Sequence, residues 1–173
     1  SMGGSAPVGG TGTGGGGTNA PTYPGYTLVI DQGFDAPIDL DKDKTWTWSD
    51  GGLSEGQVRY VKDAISFADG KMKITTSKPA AAIPGGQSFA ENGTVGNYSL
   101  QSGEFRTKFN NYRYGRYEAS IKAPVPVPAD MAAGNCTNTL FTFRTPKIED
   151  WREIDIEIIG GGATTIPIAI VPF

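Results

Sequence analysis

The sequence predicts an all-β fold, because its composition and its turn pattern favour many short strands over long helices. The 173 residues include 25 Gly and 12 Pro, which mark turns, and 8 Phe, 7 Tyr and 3 Trp, which favour strands. An Asp-Gly pair between two alternating runs adds the usual hairpin signal. The length fits one domain with room for a sizeable core.

The first 25 residues differ in composition from the rest. Ser1-Met2-Gly3 resembles a cloning remnant, and residues 9–19 are almost wholly Gly and Thr. Such a segment has the composition of a flexible linker and cannot bury a core. We therefore expect residues 1–25 to be a disordered linker and residues 26–173 to form the domain. Because linkers of this kind often tether exported domains, we also expect a secreted or cell-surface tethered protein.

The strands are expected in a regular succession along the domain. Tyr26–Ile30 is the first, and Ala64–Phe67 and Lys71–Thr75 form a hairpin around Asp69-Gly70. Alternating patterns predict further strands at Gln101–Phe109, Gly115–Ala123, Asn138–Arg144 and Glu153–Ile159. The proline-rich run from Pro124 to Pro128 predicts a stiff loop between them.

Charge and residue usage exclude several classes of function. The formal net charge is −3, and Lys and Arg are scattered, so nothing predicts nucleic-acid binding. No run approaches the 18 or more apolar residues of a membrane span. The single Cys136 cannot form an internal disulfide, and the absence of His excludes a His-based metal site and a Ser-His-Asp triad within these residues. Carboxylate chemistry remains, acting on a neutral or weakly charged partner.

The most informative stretch runs from Trp151 to Gly160 and carries three acids at alternate positions. In a strand, Glu153, Asp155 and Glu157 share one face, while the isoleucines between them share the other. Three like charges on one face raise at least one pKa. Retaining glycoside hydrolysis uses such a pair of carboxyls, one ionised and one protonated. The alternative is an exposed acidic face that protects an edge strand from aggregation.

The spacing of the two outer acids constrains that chemistry. In retaining enzymes the two carboxyls lie about 5–5.5 Å apart. Residues i and i+4 of a strand are about 13 Å apart at their Cα atoms, from a rise of about 3.3 Å per residue. The long side chains of Glu153 and Glu157 must therefore lean towards each other, and a bulge or strong local twist would help.

Four blocks occur in an order that resembles the core of glycoside hydrolase family 16. They are Ser102–Lys108, Tyr114–Pro124, Thr139–Phe143 and Trp151–Glu157. The resemblance covers about Tyr26 to Gly160 and is closest to the lichenase and laminarinase-like members. It implies a concanavalin-like β-jelly-roll sandwich whose concave sheet forms a glycan cleft. It also implies retaining, endo-acting hydrolysis of β-glucans with β-1,3 or mixed β-1,3/1,4 linkages.

The resemblance also assigns roles to residues. Glu153 matches the nucleophile, Glu157 the general acid/base, and Asp155 the assisting carboxylate between them. The substrate-binding positions that match are Trp151, Glu104, Arg106, Phe141 and Phe143. Two Phe on one strand face are more often core residues, and Glu104 with Arg106 could be an ordinary surface pair, so these alternatives stay open. Trp46 and Trp48 are interpreted as core or cleft wall.

The resemblance implies no required cofactor, although a structural calcium near Gly70 is a further hypothesis. The acids at Asp39, Asp41 and Asp43 are interpreted as a solvated turn, since they lack the Gly and terminal Glu of a twelve-residue calcium loop.

The main departure from the family follows Gly160, where further strands are normally found. We expect a scaffold short by about a third on the family pattern, with an atypical tail at residues 161–173 that makes a poor central strand because of Pro167 and Pro172. Either the sequence is a fragment, or a complementary chain or swapped copy supplies strands, or the protein is a shortened relative. The alternative functions are a non-catalytic carbohydrate-binding module and a galactan-cleaving or transglycosylating relative.

Overall fold

The computed structural model describes residues 22–52, 58–81, 83, 87–88, 98–109, 112, 115–122, 137–144, 152–159 and 168–171. It divides into two compact units, residues 1–109 and 110–173. Within the described residues every regular element is a strand, apart from one 3-10 turn at Lys62–Ala64. The all-β prediction is therefore confirmed, and the mainly antiparallel sheets are consistent with the jelly-roll class. No helix in these ranges is long and apolar enough to cross a membrane.

The first unit contains eight strands among its described residues, arranged in three sheets. They are β1 (Trp46–Trp48), β2 (Gly51–Gly52), β3 (Val58–Tyr60), β4 (Ile65–Ala68), β5 (Lys71–Ile74), β6 (Gln87–Ser88), β7 (Leu100–Ser102) and β8 (Phe105–Thr107). Strands β1 and β8 pair with each other, β4 and β5 form a hairpin, and the four-stranded sheet has the order β6-β2-β3-β7.

The predicted hairpin is confirmed by β4 and β5. Ala68 pairs with Lys71, so Asp69 and Gly70 form the two-residue turn. Both turn residues have positive φ, 52° at Asp69 and 64° at Gly70. Two consecutive positive φ angles belong to the primed turn whose twist matches that of the flanking strands, and Asp-Gly is among its preferred sequences.

The strand predicted over Gln101–Phe109 is wrong as a single element, because it divides into β7 and β8. Gly103 lies at the break, where an added Cβ would come within 2.6 Å of Ile65 Cγ1. Strand β7 pairs with β3, whereas β8 pairs with β1. The chain therefore changes partner at Gly103, at a close approach that only glycine fits.

The core of the first unit forms around a few small and aromatic side chains. Leu40, Ala64, Ile65 and Tyr98 are buried. The Tyr98 ring packs so tightly on Gly52 that an added Cβ there would lie 2.5 Å from the ring. A half-buried aromatic cluster adds further contacts and contains Phe34, Trp46, Phe67 and Phe105, with Trp46 stacked on Phe105 at 4.5 Å between ring centroids.

The second unit is a three-stranded antiparallel sheet with the order β11-β10-β9. Its strands are β9 (Thr137–Arg144), β10 (Arg152–Ile159) and β11 (Ile168–Val171). Strands β9 and β10 confirm the strands predicted at Asn138–Arg144 and Glu153–Ile159. Strand β11 is the outer strand of the described sheet, which agrees with the expectation that prolines keep the tail from a central position.

Two further strand predictions are wrong. Tyr26–Ile30 forms no strand, and Tyr26, Leu28 and Val29 are more than half exposed. The backbone N–H of Tyr26 instead donates to Tyr23 O at 3.1 Å, which closes a turn. Residues 115–122 likewise form no strand, although their sequence alternates. A strand needs a partner for its backbone groups, and none of the described strands pairs with either segment.

Some predictions lie outside the described residues. They include the linker up to residue 21, the Pro124–Pro128 loop and Trp151.

Candidate active site on the central strand of the second unit

The pairing of β9 with β10 fixes which side chains share a face. Glu153 stands opposite Phe143, Asp155 opposite Phe141 and Glu157 opposite Thr139. Directly opposed residues in an antiparallel pair project to the same side of the sheet. The three acids and the two phenylalanines therefore form one surface, which we call the acidic face.

The opposite face of the same strands is apolar. Ile154 pairs with Thr142, Ile156 with Leu140, and Ile158 with Asn138. Ile156 and Ile158 line an open cavity of about 510 Å³. Its other lining residues are Leu140 and, from the segment before β9, Arg116, Tyr117, Glu118, Ala119 and Ile121. Strand β10 thus separates an apolar side from an acidic side, as its alternation predicts.

Strand β10 is not an edge strand. Its acids are flanked on one side by β9 and on the other by β11, where Glu153 pairs with Val171 and Asp155 with Ala169. An acidic row that protects against aggregation belongs on an outer strand, where unpaired backbone groups are exposed. The central position of β10 in the described sheet removes that explanation for the three acids.

The acids remain within reach of a ligand. Glu153, Asp155 and Glu157 are half-buried, and Phe143 is 45% exposed. Half-buried carboxyls lose part of their hydration but keep access to solvent, so a ligand can reach them.

The crowding has a specific electrostatic consequence at Asp155. Partial burial, and after it the negative charge of Glu157, raises the pKa of Asp155 above its usual value. A hydrogen bond with the Glu153 side chain acts in the opposite direction on that pKa. The side chains of Glu153 and Asp155 therefore lie close enough to interact directly. Asp155 is thus the acid of the row whose pKa is raised, with burial as the first cause and the charge of Glu157 as the second.

The strand that carries the acids is regular. Its register with β9 runs unbroken from the pair of Arg152 with Arg144 to the pair of Ile159 with Thr137, so no bulge shortens the distance between Glu153 and Glu157. Their Cα atoms are about 13 Å apart on ordinary strand geometry. The side chains and the strand twist must therefore bring the two carboxyls together over a ligand.

The predicted polar pair is present in the first unit. Glu104 Oε1 lies 3.7 Å from Arg106 Nη1, and it also accepts a hydrogen bond of 2.6 Å from Ser49 Oγ. The Ser49 side chain is buried, with 1% of the residue exposed. Tyr60 lies close enough that the charge of Glu104 adds to the effect of burial in raising the pKa of that phenol. No local pattern points to Ser49 or Tyr60, because both lie far from Glu104 along the chain.

The two other tryptophans lie on β1. Both are half-buried: Trp46 stacks on Phe105, and Trp48 Nε1 donates to Asp41 Oδ1 at 3.2 Å. Their packing fits the interpretation as structural residues more closely than a role as open sugar platforms.

The acids at Asp39–Asp43 form a turn that binds its own backbone. Asp39 Oδ1 accepts from the Asp41 N–H, and Asp43 Oδ1 accepts from the Thr45 and Trp46 N–H groups. Among the described residues no group of three or more His, Cys, Asp or Glu side chains is arranged to hold a metal ion. The calcium hypothesis therefore gains no support in these ranges.

Comparison with known proteins is consistent with the carboxylate chemistry that the acids of β10 indicate. The sequence profile of glycosyl hydrolases family 16 matches residues 52–170, a region that includes the acidic strand and all of β11 except Val171. The chain is 30% identical over 138 residues to a protein of Paenibacillus polymyxa named beta-glucanase, covering 77% of this chain and 48% of that protein. It is 40% identical over 65 residues to a protein of Ruminococcus flavefaciens named xylanase/beta-glucanase, covering 37% of this chain and 7% of that protein.

The chain thus spans about half the length of the first relative and a small part of the second. No solved structure matches significantly. The family profile covers more than half of the chain and contains all three acids of β10. The chain therefore belongs to glycosyl hydrolase family 16.

Proposed function

We propose that this chain acts as a retaining, endo-acting hydrolase of β-glucans with β-1,3 or mixed β-1,3/1,4 linkages. One observation carries the proposal: three carboxyls and two phenylalanines share one face of a central strand pair. Family membership and the names of the two relatives, beta-glucanase and xylanase/beta-glucanase, support the same class of substrate.

Hydrolysis proceeds in two steps on this face. Glu153, as the carboxylate, attacks the anomeric carbon while Glu157, as the acid, gives its proton to the leaving glycosidic oxygen. The glycosyl–oxygen bond breaks and an ester to Glu153 forms. Glu157 then removes a proton from water, whose oxygen attacks the anomeric carbon and releases Glu153. The division of roles between the two glutamates rests on the family resemblance.

Asp155 lies between the two glutamates along the strand. Its hydrogen bond with Glu153 and the influence of Glu157 on its pKa link it to both neighbours. The hydrogen bond with Asp155 holds the nucleophile Glu153 in one orientation and leaves its other oxygen free for attack.

The phenylalanines suit the apolar faces of sugar rings. Phe141 and Phe143 present flat apolar surface beside the acids, and the partial exposure of Phe143 leaves its ring open to a ligand. Aromatic rings offer large contact area with few rotatable bonds to restrict. By resemblance, Trp151, Glu104 and Arg106 belong to the same set of substrate-binding residues.

The setting of the enzyme is part of the proposal. The chain works without a cofactor, in a secreted or cell-surface tethered protein, on a polysaccharide. For its assembly, the proposal is that a complementary chain or a swapped copy supplies further strands.

Product release from laminarin and mixed-linkage β-glucan tests the function. The wild type is expected to release oligosaccharides, while Glu153→Gln and Glu157→Gln each lose hydrolysis and keep the fold, because both substitutions preserve side-chain size. Glu118→Gln is the matched control, since Glu118 lines the cavity on the other side of the sheet. Hydrolysis by either purified active-face variant at the wild-type rate would overturn the assignment.

The same assay separates the alternatives. Release from galactan but not from glucan would assign a galactan-cleaving relative. Products longer than the substrate, formed with an added acceptor sugar, would assign transglycosylation. Glycan binding with no release from any polysaccharide would assign a carbohydrate-binding module.

A further inference from the structure

The side chain of Ser49 is the most deeply buried polar group among the described residues of the first unit. It is 1% exposed, and its hydroxyl donates a hydrogen bond of 2.6 Å to Glu104 Oε1. This distance lies in the range of charge-assisted bonds from a hydroxyl to a carboxylate, which are stronger than bonds between neutral groups.

The backbone fixes the two residues against each other. Ser49 follows directly on β1 and Glu104 directly precedes β8, and Trp48 pairs with Phe105 in the register of those strands. The next pair in that register is Ser49 with Glu104, and the Ser49 N–H donates to Glu104 O at 3.2 Å. The hydroxyl is therefore held against the Glu104 carboxylate, on the same side of the strand pair.

The other partner of this carboxylate holds it less firmly. Arg106 Nη1 is 3.7 Å from Glu104 Oε1, which is beyond hydrogen-bond distance, and the Arg106 side chain is 50% exposed while that of Glu104 is 17% exposed. An exposed cation at this distance adds little orientation. Ser49 is thus the group that selects the rotamer of Glu104.

We propose that Ser49 is a positioning residue that orients the Glu104 carboxylate to accept hydrogen bonds from sugar hydroxyls. The Ser49 hydroxyl donates to Oε1. This bond fixes the carboxylate so that Oε2 and the remaining lone pairs face a ligand. This inference rests on the proposed function, because it takes Glu104 to be a glycan-binding residue.

The orientation carries a clear energetic consequence. A carboxylate that is already fixed loses less conformational freedom when it binds glycan. Its affinity for glycan is therefore higher than that of a carboxylate whose side chain rotates freely. Removing the hydroxyl releases that rotor and leaves a partly buried charge with one fewer donor. Ser49 contacts no reacting atom, so its loss is expected to affect KM and to leave kcat unchanged.

The test is glycan binding in the full chain that carries Glu153→Gln, with a mixed-linkage β-glucan hexasaccharide as the probe and titration calorimetry as the measurement. Ser49→Ala is expected to raise Kd roughly 3- to 10-fold. Glu104→Ala is expected to raise it further. Thr76→Val is the matched control, because it removes the hydroxyl pair of Thr76 with Ser102 at 2.9 Å without touching a carboxylate.

A double variant separates positioning from a structural role. If Ser49 acts through Glu104, Ser49→Ala has no additional effect on Kd once Glu104 is already alanine. If Ser49 only supports the fold, the two effects add, which would overturn the inference. Ser49→Cys, which keeps the size and a weak donor, provides the same comparison should the alanine variant fail to fold, with an expected Kd between those of the parent and Glu104→Ala.

The remaining outcomes distinguish this inference from the proposed function. Normal product release by the wild type together with an unchanged Kd in Ser49→Ala would overturn the inference and leave the function standing. Absence of product release together with a Kd that depends on Ser49 would support the inference and overturn hydrolysis. Failure of the Glu153→Gln parent to bind the hexasaccharide would overturn the inference, since Glu104 would then hold no glycan.

Discussion

Asp155 stands directly opposite Phe141 across the antiparallel pair of β10 and β9, so a carboxyl with a raised pKa and an apolar ring project from the same side of the sheet. Partial burial is the largest cause of that raised pKa. The acidic row and the aromatic neighbour therefore share one face, and partial burial on that face makes the charge on Asp155 costly.

The raised pKa of Asp155 predicts how stability depends on pH. The folded chain holds this proton at pH values where the unfolded chain, with its usual value of 3.8, has released it. Stability therefore falls as pH rises from 3.8 through the folded pKa of Asp155. Asp155→Asn removes this loss, so its urea midpoint is expected to exceed that of the wild type at pH 7, and the advantage is expected to vanish at pH 3.

The same variant is expected to lose most of its hydrolytic activity, because the asparagine replaces the carboxyl that contacts the nucleophile Glu153. A gain in stability with a loss of activity is typical of a residue kept for function. Asp35→Asn, at an exposed carboxyl of the first unit, is the control for both readouts. The gain in urea midpoint is the midpoint of Asp155→Asn minus that of the wild type. A smaller gain at pH 7 than at pH 3 would contradict this account.

The ring of Phe143 is expected to contribute to substrate binding more than to folding. It lies opposite Glu153 and is 45% exposed. Phe143→Ala is expected to raise KM for mixed-linkage β-glucan about 3- to 10-fold, in line with an aromatic contact worth about 0.5–1.5 kcal/mol. Its kcat should change little. Phe109→Ala is the control, because it removes another exposed phenylalanine, which is 62% exposed in the first unit, and it should leave KM unchanged. Equal KM values for the two variants would show that Phe143 is not part of the site.

The contact between Gly52 and Tyr98 is expected to set the stability of the first unit. Tyr98 is 1% exposed, and its backbone is fixed by two hydrogen bonds with Ile83, of 3.0 and 3.1 Å. The ring therefore cannot move away from a Cβ that would lie 2.5 Å from it. Gly52→Ala is expected to lower the free energy of unfolding by about 1–3 kcal/mol, measured by urea denaturation.

Gly33→Ala is the matched control for that substitution. The nearest atom to its added Cβ is Oδ2 of Asp35 at 3.0 Å, the end of an exposed side chain that can rotate away. Its free energy of unfolding should stay within about 0.5 kcal/mol of the wild type, as for ordinary surface substitutions. A Gly52→Ala variant as stable as Gly33→Ala would show that the ring has room to shift.

The features that could be predicted from the sequence are those set by neighbouring residues. The hairpin follows from Asp69-Gly70, whose positive φ angles are a local property. The two faces of β10 follow from strict alternation along one strand. In contrast, Tyr26–Ile30 has a strand-like composition but no partner among the described strands, and strand formation depends on pairing with distant residues.

The polar contact of Ser49 with Glu104 illustrates what sequence patterns miss at the candidate site. The two residues are 55 positions apart, and their contact follows from the register of β1 with β8 rather than from any local motif. The split of Gln101–Phe109 has the same origin, because Gly103 lies against Ile65 of the distant strand β4. Both features arise from tertiary packing, which spacing along the chain does not encode.

The stereochemistry of hydrolysis tests the central claim most directly. The anomeric protons of the first product released from mixed-linkage β-glucan by the wild type can be followed by proton NMR before mutarotation. Two displacements on the acidic face, first by Glu153 and then by water, predict that the β-anomer is formed first. Initial formation of the α-anomer would contradict a covalent intermediate on Glu153 and would require a water between the two glutamates instead.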